Sequence, residues 1–270
     1  MGKHLRTIAV DWSGGREPLK NLWLAEARSG RLLDVASFAE RAHVIDYLIQ
    51  QRQATQALVV GLDFAFSLPE WFLGEMRFAS AFDLWEHMAS EADTWLKPKP
   101  PFWIAARGGP RDVDPFRQTD RDLMKRKLRP TSAFKLVGPS QVGRGSLRGM
   151  GHLRELRRTG FNIWPFESGL PLVVEIYPAA LYPPDFSGKS HPKAIADAVR
   201  DDPCIGEELK AHAACSQDAF DAAASALRMA ECASEFGGLP PAGSESRYAV
   251  EGQIWTPRET NGAAAPAPGF

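Results

Sequence analysis

Leu5-Arg6-Thr7-Ile8-Ala9-Val10-Asp11-Trp12-Ser13-Gly14-Gly15 is the stretch from which the fold can be read. Thr7 to Val10 are small or β-branched residues of the kind that fill a strand, and the two glycines end it. Asp11 falls where the strand runs out, so the sheet would hold its backbone while its carboxylate faces a ligand. Aspartate also favours turns for its own reasons, so Asp11 gains meaning only from acids in matching contexts. There are three such contexts. Asp63 lies in the apolar run 57–66, Glu175 lies between Val174 and Ile176, and Asp218 and Asp221 lie in the alanine-rich stretch 215–232.

Working outward from this strand, 21–28 and 31–37 read as two further strands around Ser29-Gly30, completing an antiparallel three-stranded meander. Val44, Ile45, Leu48 and Ile49 recur at helical spacing and predict a helix over 39–53. The run 57–66 has no alternation, as expected of a strand buried on both faces. An acid in such a run is costly unless it meets a cation or hydrogen-bond donors; the plainer alternative for Asp63 is a cap for a helix starting after Ser67-Leu68-Pro69. Residues 70–96 read as one aromatic-rich helix, with most of its aromatics in the core. Strands are expected at 161–166, 172–177 and 248–255, and helices at 150–159, 193–200 and 215–232. An edge strand with one wet face would be the bland account of Glu175. Placement at a helix N-terminus would explain one of Asp218 and Asp221 through the helix dipole, but not both so well.

The chain has 270 residues, 44% hydrophobic and 24% charged, with a formal net charge of −1, which is ordinary for a globular protein. Residues 1–258 are expected to form one domain, with 98–150 a basic insertion and 259–270 a disordered Ala/Pro tail. Segment 104–160 carries 14 Lys/Arg against 5 Asp/Glu, the pattern of a polyanion-binding surface or of a solvated helix face. Within it, 138–149 has four glycines, two arginines and two serines. It reads as a loop whose N–H groups and Arg144 and Arg148 could meet phosphate, although the P-loop spacing is absent. Cys204, Cys215 and Cys232 lack C-x-x-C spacing and an even count, which argues for a reducing compartment and against zinc. No leader pattern and no apolar run of about 18 residues is present, so the expected place is the cytoplasm and no membrane partner is expected. The six histidines are scattered without ligand spacing, and no Gly-x-Ser-x-Gly elbow occurs.

A strand–Asp–turn at the start, a second buried-strand acid, and Asp218-Ala219-Phe220-Asp221-Ala222 late in the chain together resemble the ribonuclease-H-like superfamily, in its Holliday-junction resolvase branch. Four motifs look more specifically like the family called domain of unknown function 429, described as predicted nucleases. They are Val10-Asp11-Trp12-Ser13-Gly14, Gly61-Leu62-Asp63-Phe64-Ala65-Phe66-Ser67-Leu68-Pro69, Val142-Gly143-Arg144-Gly145-Ser146-Leu147-Arg148-Gly149-Met150 and Val174-Glu175-Ile176-Tyr177-Pro178. The resemblance implies an α/β fold, a ribonuclease-H-like mixed sheet flanked by helices, and a metal-dependent nuclease site. It carries the catalytic roles to Asp11, Asp63, Asp218 and Asp221, and Glu175 matches the narrower family alone. The basic insertion departs from the small resolvases.

On this reading Asp11, Asp63, Asp218 and Asp221 would hold two Mg²⁺ or Mn²⁺ ions, with Asp11 bridging them. Glu175 would be a further ligand or would position water. Ser13, Lys135, Arg144, Ser146 and Arg148 would contact the substrate, and the insertion would grip DNA or RNA through its backbone. Tyr177 is a further candidate phosphate or water contact. Two rivals stand beside the nuclease. One is a phosphotransferase or ATPase on the same core fold, with Gly14-Gly15 and 138–149 around nucleotide phosphates. The other is a non-catalytic binding module.

Overall fold

The computed structural model describes residues 5–258 apart from 18, 98, 100, 105–112, 139–140, 183–185 and 187–190. The predicted tail, 259–270, lies outside the described residues. Strands β1 (Arg6–Asp11), β2 (Trp23–Arg28) and β3 (Arg31–Ser37) form the expected antiparallel meander. Ser29 and Gly30 both have positive φ, 53° and 71°, the backbone that a tight hairpin turn demands. Helix α1 (Arg41–Ala54) buries Val44, Ile45 and Leu48. It leads to β4 (Leu58–Leu62), all five residues buried and parallel to β1.

The expected single helix over 70–96 is two, α2 (Glu70–Glu75) and α3 (Ala81–Trp95). Arg77 between them takes a left-handed φ of 59°, and the Ser80 hydroxyl accepts from Asp83 N–H to start α3 afresh. Of the aromatics here, Phe72 and Trp85 are buried, whereas Trp71, Phe78, Phe82 and Trp95 pack half-buried against the same core. The basic segment follows as β5 (Trp103–Ile104), α4 (Gln118–Lys125), β6 (Lys135–Val137) and α5 (Val142–Arg158), with β5 and β6 forming a separate two-stranded sheet.

The glycine-rich stretch 138–149 is therefore mostly helix rather than loop. Its glycines serve close packing: a Cβ on Gly149 would sit 2.6 Å from the Phe64 ring, and one on Gly143 2.4 Å from Ala133 O. The helix runs unbroken through position 150, the expected end of the insertion. Leu147, Met150, Leu153 and Leu156 on it are wholly buried in the main core.

Then come β7 (Asn162–Ile163), shorter than expected, and β8 (Leu172–Glu175). The remaining helices are α6 (Pro192–Asp201), α7 (Glu207–Ala213), α8 (Gln217–Glu231), α9 (Ala233–Phe236) and α10 (Tyr248–Glu251). The strand expected at 248–255 is instead α10 followed by one parallel bridge from Ile254 to Glu175.

The main sheet has six strands in the order β3-β2-β1-β4-β8-β7, with β1, β4, β8 and β7 parallel. Alternation along β1 assigns its faces. Ile8 and Val10 join α1, α3 and α5 in one core, whereas Ala9, with Ala25 and Ala27 of β2, joins α8 in the other. Alanines meet across that second face, since Ala219, Ala222, Ala223, Ala226 and Ala230 of α8 are all buried in it. The close approach is fastened by Thr7, whose hydroxyl donates to Ala226 O at 2.9 Å. No helix among the described residues is long and apolar enough to cross a membrane.

Candidate active site: an acid-lined cavity at the strand ends

The parallel register places the acids. Val10 of β1 stands opposite Leu62 of β4, and Leu62 opposite Glu175 of β8. Asp11 and Asp63 thus leave adjacent strands side by side, and Asp63 N–H donates to Val10 O at 3.1 Å. Above them starts α8, where the Ser216 hydroxyl accepts from Ala219 N–H as N-cap. A cavity of about 510 Å³ opens here, lined by Asp11, Asp63 and Asp218 together with Ser13, Tyr177 and Arg129. Such ground beyond the carboxyl ends of parallel strands is where open α/β sheets bind ligands.

Asp218 is half-buried, and burial pushes its carboxyl up. Asp221, one turn on, is buried and accepts a short hydrogen bond from the Tyr182 hydroxyl. Tyr182 is in turn pushed up, first by burial and then by the charges of Asp221, Asp11 and Asp63. Burial likewise raises Tyr177, with Asp63 and Asp221 adding to it. Four of the five expected acids, Asp11, Asp63, Glu175 and Asp218, therefore line one cavity, and Asp221 stands just behind it against Tyr182.

Glu175 is brought into the lining of the same cavity, where its carboxylate oxygens are engaged by protein donors. Arg117 grips it with both arms, Nη2 to Oε1 at 2.6 Å and Nη1 to Oε2 at 2.9 Å, and Phe66 N–H donates to Oε2 at 2.9 Å. Arg117 also reaches Asp120, Nη2 to Oδ1 at 3.0 Å. All three side chains are buried. Burial pulls the guanidinium down, but Asp120 and Glu175 outweigh it and the net direction is up. The group is a buried ion-pair node in the cavity lining.

The expected substrate contacts divide. Ser13 lines the cavity, with its hydroxyl donating to Asn21 Oδ1 at 2.8 Å. Ser146 does not serve: it is fully buried, and its hydroxyl bridges Val142 O and Ala65 N–H within the core. Arg148 turns away to a second cavity of about 600 Å³. Its Nη1 donates to the carbonyls of Gly14 at 2.7 Å and Gly15 at 2.6 Å, and it pairs with Asp93. Arg41, not singled out in the sequence, holds the Ser13 carbonyl at 2.8 and 2.9 Å. Three successive carbonyls of the 13–15 turn are thus held by two arginines. Arg144 is half-buried beside Gly14 with its Nε buried and unpartnered among the described residues. Lys135 is half-buried in β6, away from the cavity lining.

The basic segment, expected to offer a polyanion surface, has several of its charges paired within the chain. Lys125 pairs with Asp122, Arg154 and Arg158 with Glu86, and Arg157 with Glu167. Arg129 is an exception: it is exposed, lines the cavity, and makes no ion pair with a described residue. Arg117, Arg129 and Tyr182 were missed as site residues. Arg117 and Arg129 counted only as charges of the insertion, and Tyr182 carries no motif signal.

Among the described residues no group of three or more His, Cys, Asp or Glu side chains is gathered tightly enough to hold a metal ion by itself. The available donors are carboxylate oxygens, which suit Mg²⁺ or Mn²⁺. Mg²⁺ characteristically takes one or two protein carboxylates and completes its shell with water and substrate phosphate. The donor set fits that kind of ion and not a closed protein cage. No protein-family model, curated protein or solved structure matches the chain.

Proposed function

We propose that this protein is a metal-dependent phosphodiester hydrolase acting on nucleic acid. The observation that carries the reading is the placement of Asp11 and Asp63 at the ends of neighbouring parallel strands, with Asp218 opening onto the same cavity. An antiparallel meander continued by parallel strands, with acids at their carboxyl ends, is the arrangement that the resemblance to ribonuclease-H-like nucleases implies.

Asp11 and Asp63 would hold one divalent ion, and Asp218 would serve a second. When bound, such ions neutralise the phosphate and acidify a water. The chain's own contribution is orientation. The sheet fixes the backbone of Asp11 and Asp63, while Arg41 and Arg148 brace the 13–15 turn beside them. Tyr182 fixes the Asp221 carboxylate behind Asp218. Asp221 is thus a positioning residue, and Glu175 supports the floor through Arg117.

A second reading, phosphoryl transfer on a free nucleotide, is favoured by the cavity's size, which lies in the range of small-molecule pockets. The test of the first reading is Mn²⁺- or Mg²⁺-dependent cleavage of labelled DNA and RNA by the wild type and by Asp11→Asn. Cleavage that survives Asp11→Asn would overturn it. A rise in melting temperature with ATP, without strand cleavage, would favour the second.

A further inference from the structure

We infer that the acid cavity accepts one unpaired nucleotide at a time, and that Arg129 holds its phosphate. The inference rests on the phosphodiester reading of the same site and names the form of substrate that fits it.

The first argument is enclosure. The cavity is walled by strand ends, by the 13–15 turn, by Gln217 and Asp218 of α8, by Gln141 and Val142 where α5 begins, and by 129–131. The last wall is tied down, since the Tyr177 hydroxyl donates to Arg129 O at 3.2 Å. A volume of about 510 Å³ suits one nucleotide. A duplex needs instead an open groove flanked by cations that track its phosphates.

Charge gives the second argument. Of the two arginines in the lining, Arg117 is committed to Glu175 and Asp120. Arg129 is exposed and has no ion pair among the described residues. It is therefore the lining cation available to a phosphate, in the same cavity as the carboxylates that would hold the ions. Arginine suits the task because its planar fork matches phosphate oxygens. Tyr177, half-buried in the same lining, offers an aromatic face on which an unpaired base can stack.

Third, cations that could have extended the footprint along a duplex are engaged elsewhere. Arg148 braces Gly14 and Gly15, and Arg154, Arg157 and Arg158 pair with Glu86 and Glu167. An enzyme of this build would take single strands, frayed ends or extruded nucleotides, as base-handling enzymes do when their pocket admits one unit.

The experiment measures fluorescence anisotropy of ~10-nucleotide labelled single-stranded and duplex DNA, with Ca²⁺ in place of Mg²⁺ to limit turnover. AMP serves as competitor. Single strands should bind about tenfold or more tighter than duplex, and Arg129→Gln should weaken single-strand binding about tenfold. The same variant should reduce the salt slope by roughly 0.7, the value for one lost phosphate contact on a single strand. Because Arg129 is exposed, the variant should melt with the wild type. Equal or tighter duplex binding, or an Arg129→Gln protein with unchanged affinity and slope, overturns the inference. If cleavage still depends on Asp11 in that event, the nuclease reading stands without it. AMP binding that needs Arg129, with no strand binding, supports the single-nucleotide pocket and overturns the nuclease reading instead. If neither strand nor nucleotide binds, both fall.

Discussion

Arg117 holds Glu175 through two parallel hydrogen bonds, 2.6 and 2.9 Å long, across 58 residues of sequence and out of contact with bulk water. Removing one partner of such a pair strands the other's charge, at a cost of about 3–5 kcal/mol. Arg117→Ala should therefore lower stability by that order, and Glu175→Gln by less, because its amide oxygen can still accept from Arg117 or Phe66. Urea denaturation of both variants reads this directly. A Glu175→Gln protein as stable as the wild type or more so would return Glu175 to the ranks of strained ligand acids.

Asp11 and Asp63 leave the carboxyl ends of the adjacent central strands β1 and β4. Asp11→Asn and Asp63→Asn should each lower metal-dependent cleavage by about 10²-fold or more. Mg²⁺ or Mn²⁺ should raise the melting temperature of the wild type, and less that of either variant.

The acids that proved legible are those bounded by local punctuation. Asp11 precedes Trp12-Ser13-Gly14-Gly15, Asp63 lies in the apolar run 57–66, and Asp218 lies in the alanine-rich stretch 215–232. Strand ends and helix starts are readable from such neighbours, and the meander was readable because Ser29-Gly30 demands a hairpin. The Arg117 partner of Glu175 was not legible, because an apolar flank reports only that an acid has a partner, not which one, and Arg117 lies far off in sequence. The first half of the helix over 142–158 was hidden by its glycines. They weaken a helix in isolation, but here they admit the Phe64 ring and the Ala133 carbonyl closer than a Cβ would allow, so tertiary packing overrides propensity.

Asp218 gives the site a pH dependence with a definite sign. Burial raises its pKa above the usual carboxyl value of 3.8, so between that value and the raised one the folded state holds more protons than the unfolded state. The Asp218 contribution therefore favours folding at low pH and is lost as pH rises through that window, after which it is flat. Asp218→Asn should remove this slope and leave the protein more stable than the wild type at neutral pH. Melting temperatures of the two proteins from pH 4 upward provide the test. A difference between them that does not change with pH would show that burial does not perturb Asp218. Metal affinity should rise with pH over the same window, since the ion needs the deprotonated carboxylate.

The two glycines after Ser13 carry unequal constraints. A Cβ on Gly14 would stand 2.5 Å from Gly145 N and 2.8 Å from Arg144 C, both backbone atoms of α5 that cannot step aside. On Gly15 the nearest atom would be Leu19 Cδ2 at 3.1 Å, the end of a flexible side chain. Gly14→Ala should accordingly cost about 1–3 kcal/mol, the range for overpacking a tight contact, and Gly15→Ala much less. The turn also carries Ser13 beside Asp11, and its Gly14 and Gly15 carbonyls are the acceptors for Arg148. Displacing it should reduce turnover more than stability alone accounts for. Activity measured well below the melting temperature of each variant separates the two effects. Gly14→Ala with wild-type turnover at such a temperature would mean that the turn is scaffold and takes no part in the site.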